Sequence, residues 1–77
     1  MNRDRRKRLQ DVYDALEGQL TALKEIRDEE QESYDNYPES LQESERGRAL
    51  YENVESLESA YNDLESLMES IQEVLER

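Results

Sequence analysis

The sequence predicts an all-α protein: an antiparallel two-helix coiled-coil hairpin that dimerises into a four-helix bundle. Three observations predict it. An apolar heptad seam runs from Leu50 to Leu75, a second apolar stripe runs from Leu9 to Ile26, and a helix-breaking segment, Tyr34-Asp35-Asn36-Tyr37-Pro38, separates them. The chain is read as a single hairpin over residues 1–77, with a first helix at about 3–35, a turn at about 36–40 and a second helix at about 41–76.

The first helix carries Leu9, Val12, Tyr13, Leu16, Leu20, Leu23 and Ile26 as its stripe, with Ala15 and Ala22 beside it. Helix formers dominate, and Gly18 is the one weak position, costing up to about 1 kcal/mol against Ala. Beyond Ile26 the stripe gives way to Arg27-Asp28-Glu29-Glu30-Gln31-Glu32, so the helix continues there with an exposed or polar interface. Asp35 and Asn36 then compete for backbone hydrogen bonds, and Pro38 disfavours the α conformation at Tyr37. Two N-cap signals follow, the capping box Ser40-x-x-Glu43 and Ser44 with Glu45 in the first turn, and Pro38–Glu43 also reads as a single helical turn before the long helix begins.

The second helix places Leu50, Val54, Leu57, Tyr61, Leu64, Met68, Ile71 and Leu75 in a four-three rhythm, the a and d positions of a heptad repeat. Its other positions are mostly Glu, Ser, Asn, Asp and Gln. Such a helix needs other helices to cover its seam. Folding at Pro38 sets position i opposite 76 or 77 minus i. Ile26 then faces Leu50, Leu23 faces Val54, Leu20 faces Leu57, Leu16 faces Tyr61, Val12 faces Leu64 and Leu9 faces Met68. An extra column, Ala60, Leu67 and Val74, is left over beside the seam. Self-association through Leu57, Ala60, Leu64, Leu67, Ile71, Val74 and Leu75 is the expected remedy.

Composition bounds the rest. Of 77 residues, 34% are apolar and 40% are charged, near the border with disorder, so the ordering of the apolar residues is what allows folding. There is no Cys, which excludes disulfides and thiol chemistry. No apolar run reaches membrane-span length, and the basic start lacks a following apolar region, so a cytoplasmic protein with no membrane partner is expected. The net charge is −11, divided unevenly: residues 1–8 carry five basic groups and one acid, and residues 9–77 carry five basic groups and twenty acids. An acidic surface of this kind repels nucleic acid and attracts basic surfaces. Direct nucleic-acid binding through Arg3–Arg8 is accordingly disfavoured, and pairing of that run with Glu69, Glu73 and Glu76 at the end of the second helix is expected instead.

No motif carries catalysis. Without His or Cys, the commonest general base and the strongest nucleophile are missing, and the carboxylates fall at solvated helix-surface positions. No cofactor is expected. The acidic clusters Asp28-Glu29-Glu30 and Asp35-Asn36 lack the pattern of a calcium loop. Tyr13, Tyr51 and Tyr61 read as core or boundary residues, whereas Tyr34 and Tyr37 either cap the hairpin's end or form a recognition tip with Asp35 and Asn36.

The segment Asp28-Glu29-Glu30-Gln31-Glu32-Ser33-Tyr34-Asp35-Asn36-Tyr37-Pro38-Glu39-Ser40-Leu41-Gln42-Glu43-Ser44-Glu45-Arg46-Gly47, with the basic start and heptad end, resembles short acidic helical proteins of phages and mobile elements of gut bacteria. The resemblance implies a biological context and no site residues. Two functions follow as expectations. The first is a non-enzymatic, phage-encoded inhibitor whose acidic face mimics nucleic acid and blocks a basic nucleic-acid-binding host protein. Glu52, Glu55, Glu58, Asp63, Glu65, Glu69 and Glu73 would carry it. The alternative is a structural or adaptor coiled-coil dimer that binds its partner through the apolar seam or the turn.

Overall fold

The computed structural model describes residues 1–77 as two long helices, with no strand, folded back on each other into a rod of 58 × 15 × 14 Å. The first, α1, spans Arg3–Asp35 and the second, α2, spans Glu45–Glu76. Between them lies a single 3₁₀ turn, Glu39–Leu41.

Local chemistry sets the ends. The Asn2 side chain accepts from the Arg5 N–H at 2.8 Å and caps α1. Asn36 closes its other end, donating its backbone N–H to Glu32. Of the two N-cap candidates for α2, Ser44 is the one used: its hydroxyl accepts from the Gly47 N–H at 3.3 Å. The long helix therefore begins at Glu45 and not near 41, because residues 39–41 are spent in the 3₁₀ turn.

That later start moves the hairpin's centre and changes the register. Tyr13 reaches Gln72, Glu30 bonds Asn53 at 2.8 Å, and Arg27 lies over the ring of Tyr61 at 5.2 Å. The expected pairs, such as Ile26 with Leu50 and Val12 with Leu64, are thus displaced by about one heptad. Ile26 (52% exposed) and Val12 stand outside the seam. Their places are taken by an unbroken heptad run on α1: Arg6, Leu9, Tyr13, Leu16, Leu20, Leu23, Arg27, Glu30, Tyr34, all at least partly covered. On α1 the seam is apolar towards the N-terminus and polar towards the turn, whereas α2 stays apolar there with Leu50, Val54 and Leu57.

The turn packs tightly on the start of α2. The Gln42 amide donates to the backbone oxygens of Tyr34, which also accepts from the Tyr37 N–H, and of Tyr37, and so ties the turn to the end of α1. The Leu41–Gln42 backbone crosses directly over Gly47. A Cβ at Gly47 would sit 2.6 Å from the Gln42 carbonyl carbon and 2.7 Å from the Leu41 oxygen. Gly47 is buried and is needed for this close approach, whereas nothing lies within 4 Å of a Cβ at Gly18.

Burial is shallow. Val54 (7% exposed) and Met68 (4%) are the only buried apolar side chains. Most other seam residues are half-covered. The basic start does not pair with Glu69, Glu73 or Glu76. Its ion pairs are local, Lys7 with Asp11 at 2.7 Å and Arg8 with Asp4 at 3.1 Å. Only Arg6 reaches α2, donating to the Leu75 carbonyl. A basic side chain one helical turn from an aspartate finds that partner at lower entropic cost than one on another helix.

Opposite effects are expected at the two glycines in urea denaturation at fixed protein concentration. Gly47→Ala should destabilise by about 1–3 kcal/mol through overpacking against the turn backbone. Gly18→Ala should stabilise by up to about 1 kcal/mol through helix propensity. Arg27→Ala should cost about 1 kcal/mol by losing the cation–π contact and the packing of its stem, and Tyr61→Phe, which keeps the ring face, should cost less.

Candidate functional site

Heptad geometry sorts the side chains of α2 around the rod, and three cross-helix contacts say which side each column occupies. Tyr13 donates to Gln72 at 3.4 Å, and the Tyr34 and Tyr51 rings meet at 5.6 Å with a 53° tilt. Gln72 and Tyr51 belong to the column that also holds Glu58 and Glu65, so that column flanks one side of the seam. A shallow groove on this side is lined by Tyr13, Leu20, Met68, Glu65, Glu69 and Gln72. The Asn53–Glu30 bond fixes the opposite side, where Asn53 heads the column Ala60, Leu67, Val74.

The acidic residues singled out in the sequence fall mainly on the first side. Glu58 and Glu65 flank the seam, Glu55 and Glu69 stand next outward, and Glu52 and Glu73 lie round the back. Asp63 is on the border with the opposite side. All seven are exposed, and none enters an ion pair within the chain. From Glu52 to Glu73 they place one carboxylate per about 5 Å of helix axis. A nucleic-acid strand carries one phosphate per about 3.4 Å.

At the turn, the tyrosines and the polar tip divide. Tyr34 and Tyr37 are half-buried, with Tyr34 against Tyr51, and they close the end of the seam. Asp35 and Asn36 are exposed, and Asp35 accepts from the Gln31 amide at 2.9 Å. Of the self-association residues, Leu57, Leu64, Ile71, Val74 and Leu75 are half-covered by α1, whereas Ala60 and Leu67 (51% exposed) are open.

Sequence reasoning missed four residues that hold this arrangement together. Arg27, Glu30 and Asn53 make the polar seam, and Gln42 ties down the turn. The signal for Arg27 and Glu30 was present, since they continue the three-four spacing of Leu20 and Leu23 once polar residues are admitted to it. Nothing in the sequence pattern marks Gln42. No three acidic side chains converge as a metal site, and no helix is long and apolar enough to cross a membrane.

The Tyr51 phenol is held above its ordinary value, first by hydrogen bonding to the Glu55 carboxylate and then by that group's charge. The fold thus favours the neutral phenol. This contribution is present at neutral pH and is lost as pH rises through the elevated folded-state value. In an ultraviolet titration the phenol step lost in Tyr51→Phe should move to lower pH in Glu55→Gln. No family profile, curated protein or solved structure matches this chain.

Proposed function

We propose that the chain is a non-enzymatic protein-binding hairpin whose acidic side occupies a basic, nucleic-acid-binding surface on a partner protein and blocks it. The observation that carries this reading is the set Glu52, Glu55, Glu58, Glu65, Glu69 and Glu73, exposed from one flank of the seam round to the back of α2 and free of ion pairs within the chain. A rigid helix presents these charges already arranged, so little entropy is lost when a basic groove meets them. Like charges so placed steer a basic partner over about a Debye length and raise its association rate. The resemblance to phage-encoded acidic proteins makes a host protein the fitting target, and inhibition the fitting outcome.

Capture from bacterial lysate on the immobilised chain, at about 50 mM and about 500 mM salt, tests the reading, because screening weakens charge contacts far more than apolar ones. The captured proteins should be basic nucleic-acid binders and should be released at high salt. A variant with these six glutamates changed to lysine should retain none of them. Capture that survives high salt, or that persists in the charge-reversed variant, would overturn the proposal and place recognition on apolar surface.

A further inference from the structure

One side of the hairpin is apolar and open. On α1, Val12 and Ile26 project beside Leu9, Leu16 and Leu23; on α2, Ala60, Leu67 and Val74 project beside Leu57 and Leu64. The Glu30–Asn53 bond shows that these two columns flank the same side of the seam, the side away from Tyr51, Glu58 and Glu65. Val12, Ile26 and Leu67 are about half exposed there.

The surface area indicates how much is left to cover. The chain exposes 5938 Å². A compact monomer of its mass, 9.2 kDa, exposes about 4,900 Å². The excess, about 1,000 Å², is comparable to the roughly 800 Å² that one partner contributes to a standard interface.

Charge decides what covers it and in which direction. Residues 28–45, around the turn, contain eight acids and no basic residue. At the other end of the rod, residues 1–8 sum to +4 and residues 69–77 to −2. Docking two hairpins with their turns together would gather sixteen acids at one end, whereas docking them with turns opposed sets each acidic turn beside the other copy's basic start. Arg3 and Arg5 have no side-chain partner within the chain and are free to meet it.

We propose that the chain is a homodimer in which two hairpins pack apolar side to apolar side with their turns at opposite ends, forming a four-helix bundle. The two-fold axis lies across the rods, so that α1 crosses α1 of the other copy and Val12 meets Ile26. Gln19, seven residues from each, lies near the axis. On α2, the small Ala60 faces the large Leu67 of the other copy. This goes beyond the proposed function: the acidic sides stay outward on both hairpins, and the dimer stands or falls whatever they bind.

Sedimentation equilibrium at about 10–100 μM should give twice the chain mass of 9.2 kDa. The double variant Ile26→Glu/Leu67→Glu changes side chains that stand outside the hairpin's own seam, and should shift the mass to that of one chain. Because the chain contains no Cys, each introduced cysteine is the sole thiol and reports the docking at one known position. Asn36→Cys carrying a spin label should give an intermolecular separation near the 58 Å rod length. Gln19→Cys should form a disulfide-linked dimer under mild oxidation. A monomeric native chain, a double variant that stays dimeric, a label separation near the 14 Å rod width, or failure of Gln19→Cys to cross-link would each overturn the proposal. If the double variant does not fold, the native mass and the two cysteine measurements still decide it.

Discussion

Two helices can enclose only the residues on the line between them, and this limit governs the whole chain. It leaves Val54 and Met68 as the buried apolar side chains and the leucines on either side of them half-covered. A three- or four-helix arrangement surrounds its centre; a pair does not. Apolar burial therefore cannot by itself define how the two helices align, and much of the hairpin's specificity rests on polar contacts and on the turn.

Those contacts are concentrated near the turn. Arg27 over Tyr61, Glu30 with Asn53 and Tyr34 against Tyr51 link three successive seam positions of α1 to α2. Sliding one helix by a heptad would keep leucine against leucine but leave each of these groups without its partner. Isolated polar positions in coiled coils act in this way, giving up some stability to select one register. Gly47 sets the same register by a different route, since the turn backbone descends onto α2 only where no Cβ stands in its path.

The charges follow a separate division. Lys7, Arg8 and Arg27 pair with aspartates on their own helix, and the glutamates of α2 enter no ion pair. The helices are therefore held together with little help from ion pairs, which leaves the acidic side of α2 available for another molecule. Exposed pairs contribute little to stability in any case, so leaving these carboxylates unpaired costs the fold little.

The amino-acid order alone determined the helices, the place where the chain turns, and the existence of surplus apolar surface on α2. These are properties of spacing, and spacing is visible in one dimension: Leu50 to Leu75 keep their rhythm whatever they touch, and Pro38 interrupts the helix whatever follows. Only the tertiary structure decided the register and the exposure of Ile26 and Val12. Register depends on how many residues the turn consumes, and that was set by the choice of Ser44 over Ser40 as cap and by the Leu41–Gln42 backbone lying on Gly47. A heptad repeat looks the same after a slip of seven, so the apolar pattern cannot distinguish neighbouring registers. Atoms brought together in space can.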